Sequence, residues 1–380
     1  MREWPRLHTG TTWLIPIAAI LLAGWTYQAV MTAGFIGLDD DVYVSENAIV
    51  LQGLSWQGAR WAFSTVHAST WQPLVWISYM LDASLFGTGP RGFHASNLLI
   101  HLANILLLFL FIRRLSPKPF VCALSVLLFA IQPIHVESVA WIAERKGLLS
   151  TSFAWMSLLA YLIYAQSRSR KAYAAALLAL AIGLMAKPML LTLPLLFLLL
   201  DYWPAQRMTL PCQRTALFPL LFEKIPFFIL SIGSILITAY AQHAGGSFLD
   251  LQTVSLWGRF GNAVVSIWRY LGRLFVPFRL AVLYPHPGSW PAWLVLPAGL
   301  ILLGFLCWIW SRRNQTPWLL LGSAWFLLSL LPVLGFTQFG WHAMADRFLY
   351  LPAVGLYLAF SFAIEPIVYL RKRNTARGLN

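Results

Sequence analysis

Apolar runs of membrane-spanning length recur along the whole chain, and short polar connections separate them. A helix needs ~20 mostly apolar residues to cross a bilayer. The pattern therefore predicts an all-α polytopic membrane protein with ten spans, and we place them at residues 13–32, 93–112, 119–133, 147–165, 172–186, 188–202, 225–241, 292–310, 317–334 and 349–367. The first run lacks a small-residue cleavage pattern, so we expect a retained helix and not a signal peptide.

This arrangement leaves two long segments, residues 33–92 and 242–291, on one side of the membrane. In the first segment, the stretch GLSWQGARWAF is amphipathic and rich in Trp, which predicts a helix that lies at the membrane interface. The apolar stretch from Trp71 to Gly87 is short for a span, and we interpret it as a shallow or partly inserted helix.

In the second long segment, apolar and polar positions repeat at helical spacing from Ser255 to Phe275. They predict an amphipathic helix whose polar face carries Arg259, Arg269 and Arg273. The sequence leaves two interpretations open. The arginines either anchor the helix at lipid phosphates, or one or two of them bind the phosphate of a lipid-linked substrate.

Composition agrees with membrane insertion, because 59% of the 380 residues are apolar and 11% charged, whereas soluble domains carry about 25% charged residues. The formal charge is +14, but Lys and Arg cluster in alternate connections. The positive-inside rule then places both termini in the cytoplasm, so the basic excess reflects topology and not nucleic-acid binding. Cys122, Cys212 and Cys307 fall in spans or on the cytoplasmic side, and we expect no disulfide framework outside.

Three consecutive carboxylates, Asp39, Asp40 and Asp41, follow the first span in a Gly-flanked turn. One explanation is a solvated loop with a helix cap, since Asp caps helices well. However, carboxylates are few on this side, and adjacent carboxylates raise each other's pKa values. Such a cluster favours a bound divalent cation or a base that accepts a proton.

A short outer loop, AIQPIHVESVAWIAERKGLLS, holds a second candidate set. Glu137 and Glu144 lie seven residues apart on one helical face, and His135 precedes them. This mixture of acids, bases and a His exceeds what a turn needs, so Glu144 is a candidate catalytic acid or metal ligand. The alternative is a rim salt bridge from Glu144 to the Arg or Lys that follows it.

Two further outer connections carry candidate residues. His342, Asp346 and Arg347 lie between the last two spans, and Asp346 and Arg347 do not face each other on a helix, so we expect each to have another partner. Lys187 lies at an apolar outer turn, where a lysine is costly unless it is paired or snorkels to the interface. These carboxylates, cations and aromatic rings share one side of the membrane, which favours an extracytoplasmic transferase with a lipid-linked phosphosugar as donor.

Over nearly all of residues 34–352, the chain also resembles the membrane portion of the transmembrane and tetratricopeptide-repeat O-mannosyltransferases and their bacterial relatives. The matching stretches are DDDVYVSEN, WQPLVWISYMLDASLFG, GFHASNLLIHLANILLLF, LLFAIQPIHVESVAWIAERKGLLS, LMAKPMLLTLPLLFLLLDYWP and ADRFLYLP. These proteins belong to the GT-C class of integral-membrane glycosyltransferases. No tandem repeat is present, so we expect residues 1–380 to form one GT-C-type membrane domain without a tetratricopeptide array.

The resemblance implies a GT-C fold and inverting transfer of a sugar from a polyprenyl-phosphate donor to a protein or glycolipid acceptor. It implies that Asp39 and Asp40, with Tyr43 after them, activate the acceptor hydroxyl. A divalent metal, Mg or Mn, would be held by Asp40 and Glu144.

The resemblance also implies roles for the cations and a cellular location for the protein. Lys187 and Arg347 are candidates for stabilising the leaving phosphate, and Arg259, Arg269 and His135 for further substrate contacts. Membrane lipids are further partners and nucleic acid is not. We expect a bacterial inner-membrane protein with cytoplasmic termini and a periplasmic active site.

Three positions depart from the pattern of the relatives. Gly147 stands where an Asp usually follows Glu-Arg-Lys, Gln72 where a basic residue or His is common, and Gln132 where His is usual. These changes remove a carboxylate and a phosphate-facing charge, although Glu144 lies one helical turn before Gly147. Two rival functions therefore stay open: a catalytically impaired binding or scaffold protein, and a lipid or solute transporter, which would place ionisable residues in mid-membrane.

Overall fold

The computed structural model describes residues 10–211, 213–246, 253–336 and 340–377, with backbone alone at residues 10–11 and 369–377. Within these ranges the chain is almost entirely helical, which confirms the all-α expectation. The helices are α1 (Leu14–Thr26), α2 (Ala48–Leu51), α3 (Trp56–Ser64), α4 (Pro73–Phe86), α5 (Pro90–Leu115), α6 (Pro119–Ile131), α7 (Val136–Ala140), α8 (Arg145–Ser167), α9 (Arg170–Leu184), α10 (Leu193–Tyr202), α11 (Arg214–Ala244), α12 (Leu256–Phe275), α13 (Ala292–Ser311), α14 (Pro317–Leu330) and α15 (Ala353–Arg377). Cys122 and Cys307 are free thiols, and Cys212 lies outside the described residues.

Among the described residues, four helices are long and apolar enough to cross a membrane, and a pair bent by 50° raises the number to five. The four are Pro90–Leu115, Ile142–Ser167, Arg214–Ala244 and Ala292–Ser311, and the bent pair is Pro119–Ile131 with Pro133–Ala140. Four other predicted spans coincide with apolar helices of 10–17 residues, and the span predicted at 172–186, which corresponds to α9, belongs to neither group. At ~1.5 Å per residue such helices are shorter than a ~30 Å hydrocarbon core. The count of ten spans and the GT-C fold therefore stay predictions.

The bend between α6 and α7 has a local cause in the sequence. Pro133 lies two residues after the end of α6, and a proline can neither donate a helical hydrogen bond nor avoid the carbonyl one turn earlier. The chain therefore turns through Pro133–His135 before α7 begins. This turn places Glu137, in the first turn of α7, beside the last outer connection.

The amphipathic helix α12 forms where the pattern predicts it, but its polar face points into the protein. Asn262 and Ser266 are fully buried, and the Asn262 side-chain amide donates to the Ala343 carbonyl at 2.8 Å. Large apolar side chains on the other face, such as Phe260 and Phe275, are exposed. Exposed aromatic rings with a buried polar face fit a helix whose outer side meets lipid.

Two antiparallel strands, β1 (Tyr284–Pro285) and β2 (His342–Met344), tie the second long loop to the last outer connection. A separate aromatic core, which includes Tyr43, Trp76 and Trp141, packs the first long loop onto the start of α8. The first long loop is thereby packed against the start of α8, and the second long loop is paired with the connection that precedes α15.

Candidate functional site

The centre of the site is the carboxylate of Glu144, which is almost completely buried and lies among three cations. The ammonium nitrogen of Lys187 lies 3.0 Å from Glu144 Oε2, the Nε of Arg347 lies 3.2 Å from Oε1, and the ammonium nitrogen of Lys146 lies 3.6 Å from Oε1. A buried carboxylate is stable only when it is paired, and this one has more cations than it needs. We call Glu144, Lys146, Lys187 and Arg347 the charge cluster.

Separate segments of the chain supply the charge cluster. Glu144 ends a short 3-10 turn, Ile142–Glu144, and Lys146 lies in the first turn of α8. Lys187 follows α9 in an extended conformation, which Pro188 imposes on the residue before it. Arg347 lies in the 3-10 turn Asp346–Leu349. Elements distant in sequence therefore hold these side chains in place.

Arg347 joins the two glutamates that the sequence places on one helical face. Its guanidinium contacts Glu137 Oε1 at 2.5 Å as well as Glu144, and its backbone N–H donates to Glu137 Oε2 at 2.8 Å. The single helical face is wrong in detail, because Trp141 has an extended ψ of 119° that interrupts the helix. The guanidinium instead bridges the break and lies over the Trp141 ring at 5.1 Å.

The three residues of the Glu-Arg-Lys run have three different surroundings. Arg145 points away from Glu144 into the core, where Nη1 lies 2.5 Å from Asp82 and Nε donates to Asn97 at 2.8 Å. Lys146 lies over the Tyr43 ring at 4.7 Å and 3.9 Å from the carboxylate of Asp39. The proposed rim salt bridge from Glu144 thus involves Lys146 and not Arg145.

The aspartate run divides in the same way. Asp40 is fully buried, and its two carboxylate oxygens accept the backbone N–H groups of Ile36 and Ala143 at 3.0 and 2.9 Å. The side chain of Asp39 is 50% exposed and faces Lys146, whereas the Asp41 side chain, among the residues described, accepts only from the N–H of Val42 in its own turn. Asp40 therefore fixes the loop against the start of α8, and the accessible carboxylate beside the charge cluster is that of Asp39.

Burial shifts the acid–base properties of residues around the cluster. Burial raises the pKa of Asp40, although the two backbone N–H donors oppose the shift. Burial lowers the pKa of Lys187, and the nearby Glu144 does not fully restore it. Burial, together with Arg347, lowers the pKa of His342 to about 4, so this imidazole is neutral at neutral pH.

Three of the predicted substrate-binding residues do not join the charge cluster. His135 is fully buried, and its Nε2 lies 3.0 Å from the Tyr357 hydroxyl. Arg259 is nearly buried and donates to the carbonyls of Val254 and Phe336 at 3.1 Å. Arg269 lies over the Tyr284 ring at 5.4 Å, at the edge of the second long loop. Among the described residues no carboxylate pairs with Arg269.

Gly147 adjoins the charge cluster directly. A Cβ placed on it would lie 3.1 Å from Glu144 Oε2 and 3.6 Å from the ammonium nitrogen of Lys187. The Glu144 carboxylate thus lies beside the place that an Asp at 147 would enter, and it already pairs with Lys187. That Glu144 compensates for the missing acid stays a prediction.

The carboxylates present do not fit a resident divalent metal. Both oxygens of Asp40 accept backbone N–H groups, and both oxygens of Glu144 face cations. A divalent cation at Glu144 would be repelled by Lys146, Lys187 and Arg347. The part of the chain that the structure describes contains no group of three or more His, Cys, Asp or Glu placed to hold a metal ion. The predicted metal stays a prediction, and no chemical step below depends on it.

The sequence suggested Lys146 only as a salt-bridge partner of Glu144 and not as a functional residue. The sequence feature that could have identified Lys146 is its position in the first turn of a membrane helix. A cation is unfavourable there, because the helix N-terminus carries a partial positive charge. The contact with Tyr43 could not be read from the sequence, because residues 43 and 146 meet only through the fold.

Comparison with curated proteins finds several relatives named protein O-mannosyl-transferases. Drosophila melanogaster Tmtc1 is 30% identical over 178 residues, which is 43% of this chain and 20% of the relative. Drosophila melanogaster Tmtc2 is 31% identical over 212 residues (52% of this chain, 22% of the relative), and mouse TMTC1 is 33% identical over 169 residues (40% and 17%). The matched part of the chain thus spans about a fifth of the length of these relatives. No protein-family model and no solved structure matches. The chain resembles the TMTC-type protein O-mannosyl-transferases.

Proposed function

We propose that this protein is a glycosyltransferase that moves a sugar from a polyprenyl-phosphate donor to a hydroxyl of a protein or glycolipid acceptor. The observation that carries the proposal is the charge cluster, where Lys146, Lys187 and Arg347 surround Glu144 at the outer ends of the membrane helices. The relatives' name, protein O-mannosyl-transferase, supports a sugar donor and a protein acceptor.

The cations suit a reaction in which negative charge grows on a leaving phosphate. Lys187 uses one of its three ammonium N–H groups on Glu144, so others are free to donate to phosphate oxygens. The Nε and Nη1 atoms of Arg347 contact the glutamates. Preorganised cations in a water-poor site stabilise such charge more than water does. Glu144 holds the three cations close together, while Glu137 also pairs with Arg347 and Asp39 with Lys146.

Asp39 is the residue that we propose as the base. The acceptor O–H attacks the anomeric carbon from the face opposite the phosphate, the new C–O bond forms, and the bond from this carbon to the phosphate oxygen breaks. The acceptor proton passes to the Asp39 carboxylate, and the leaving group departs as polyprenyl phosphate. This geometry inverts the anomeric centre. Asp40 holds the loop and does not touch the reacting atoms, because its oxygens are occupied.

The site would face the periplasm of a bacterial inner-membrane protein whose termini are cytoplasmic. The supporting pattern is the positive-inside distribution of Lys and Arg, which places the loops with Asp39, Glu144, Lys187 and Arg347 on the outer side. The exposed aromatic face of α12 would rest on the outer leaflet.

The test is release of polyprenyl phosphate and labelling of acceptors in membranes supplied with a panel of polyprenyl-phosphate sugars. We expect release with the wild type and a loss of at least about 100-fold with Lys187→Met, because one oxyanion donor contributes on the order of 100-fold in rate. Arg312→Gln is the matched control, since Arg312 is an exposed cation at the opposite end of α13.

The outcomes separate the rival functions. If wild type and Arg312→Gln both bind the donor but release no polyprenyl phosphate, the protein is a binding or scaffold protein and not an enzyme. Sugar or lipid flux without transfer would favour a transporter. Release that disappears with EDTA and returns with Mg or Mn would establish the predicted metal, whereas release unaffected by EDTA would exclude a metal requirement.

A further inference from the structure

A small cavity lies behind the charge cluster, between the start of α8 and the last outer connection. It is about large enough for a single water molecule or small ion. Its lining combines two cations, Lys187 and Arg347, with Ser150, Thr151 and Tyr350, whereas Gly147 contributes no side chain. Neither Glu137 nor Glu144 lines it.

Several hydrogen-bond donors around the cavity are not fully used. Two of the three N–H groups of Lys187 have no hydrogen-bond acceptor among the described residues, although the nitrogen lies 5.4 Å from the centre of the Phe348 ring, and the hydroxyl of Thr151 also has no hydrogen-bond partner there. The Ser150 hydroxyl, by contrast, donates to the Gly147 carbonyl at 3.1 Å. The lining itself holds cations and hydroxyl groups, which favour an anion, and the Glu144 carboxylate lies 3.0 Å from Lys187 on a side chain that does not line the cavity.

The surroundings favour an anion over a neutral water molecule. Lys187 is 11% exposed, and Glu144, its one carboxylate partner among the described residues, also faces Lys146 and Arg347. Arg347 also pairs with Glu137 and Lys146 with Asp39, whereas Lys187 has Glu144 alone among the described carboxylates. A buried cation whose single counter-charge is shared carries a desolvation cost that a second negative charge offsets. A water molecule offers no such charge.

We propose that this cavity binds a small inorganic anion of the size of chloride, which takes the place of a side-chain carboxylate at position 147. The ion would accept from the ammonium group of Lys187 and from the Thr151 hydroxyl, beside the guanidinium of Arg347. The proposal does not depend on the glycosyl donor, because the ion binds to the protein alone.

The experiment measures the Tm of the detergent-solubilised full chain in sodium chloride, sodium bromide and sodium gluconate at equal ionic strength. Gluconate is too large for the cavity and serves as the ionic-strength control. We expect a saturable rise in Tm with chloride and bromide, since a ligand that binds only the folded state stabilises it. Bromide anomalous scattering from crystals would then locate the ion between Lys187 and Thr151.

Matched variants decide whether this cavity is the site. Gly147→Asp places a carboxylate beside Lys187, and we expect its Tm to be independent of halide. Thr151→Val keeps the shape but removes a donor, and should weaken halide affinity by about tenfold, the equivalent of 1.4 kcal/mol. Ser152→Ala removes a neighbouring hydroxyl, which donates to Leu148 outside the cavity, and should respond like wild type.

Two results would overturn the proposal: equal Tm values for wild type in chloride and gluconate, or an unchanged halide response in Thr151→Val. Should Gly147→Asp fail to fold, the Thr151→Val titration and the bromide density still decide. Bromide density elsewhere, with none beside Lys187, would also reject the site.

Discussion

The ammonium nitrogen of Lys187 lies 3.0 Å from the Glu144 carboxylate, and the two side chains are 11% and 1% exposed. Lys187 follows α9, whereas Glu144 precedes α8, so this ion pair joins two turns that are 43 residues apart in sequence. Because Glu144 also contacts Lys146 and Arg347, its removal would leave three cations facing one another.

This relationship predicts that Glu144→Gln destabilises the protein more than Lys187→Met does. The first change leaves three cations without their shared carboxylate, and loss of one partner from a buried ion pair costs about 3–5 kcal/mol. The second leaves Glu144 with Lys146 and Arg347. Thermal unfolding in detergent measures the stability of both variants. The control is Glu46→Gln, which changes an exposed carboxylate of the first long loop. Equal stability of Glu144→Gln and wild type would contradict the arrangement.

Donor binding should weaken at alkaline pH. The ammonium form of Lys187 attracts phosphate, and burial lowers its pKa below the ordinary lysine value. As the pH rises through this lowered pKa, the ammonium group loses its proton and the attraction disappears. Lys187→Arg keeps its charge at every accessible pH, so its binding curve should extend to higher pH. Titration of donor affinity against pH checks this, and superimposable wild-type and Lys187→Arg curves would refute it.

Much of the fold follows from local pattern. Apolar runs indicated where most of the long helices lie, and the structure shows that three of these helices begin at a proline: Pro73, Pro90 and Pro119. Helix length was harder to predict, because hydropathy does not show where a helix changes to a 3-10 turn. The chain after Tyr27, for example, continues through such a turn and not as the regular helix of the predicted first span.

The sequence predicted which charged residues belong to the candidate site, but it did not predict which of them contact each other. Glu144, Lys187 and Arg347 were identified as candidates because a charged group in an apolar turn is energetically costly unless it is paired. That they meet at one carboxylate depends on tertiary packing. The same limit explains His135 and Arg259, which read as accessible polar residues of outer segments although the fold buries both. A helical period identifies the two faces of α12 but does not say which one meets protein.

The two aspartates should respond differently to removal of their charge. Asp39→Asn keeps the loop in place, because Asp39 lies 50% exposed, but it removes the proposed base. We expect kcat to fall by at least about 100-fold at nearly unchanged Tm. Asp40→Asn replaces one acceptor of the Ile36 and Ala143 N–H groups by a donor, so it should lower Tm as well as activity. An active Asp39→Asn enzyme would return the base role to Asp40.

The adjacent residues Arg145 and Lys146 allow a sharper test of the division between core and site. Arg145 is fully buried, with Asp82 at 2.5 Å and Asn97 at 2.8 Å. Arg145→Met would leave the Asp82 carboxylate buried and unpaired, and we expect a loss of stability of about 3–5 kcal/mol, seen as a lower Tm or as no folded protein.

Lys146→Met should have the opposite profile. Its ammonium group contacts Glu144, Asp39 and the Tyr43 ring at the edge of the site, and Glu144 keeps Lys187 and Arg347 when Lys146 is lost. The Tm should therefore change little, because Met also preserves contact with the aromatic ring. Donor affinity should fall by about tenfold, since one phosphate-facing cation is removed. Isothermal titration with a polyprenyl-phosphate sugar separates the two variants, and a Lys146→Met protein that unfolds like Arg145→Met would show that Lys146 belongs to the core.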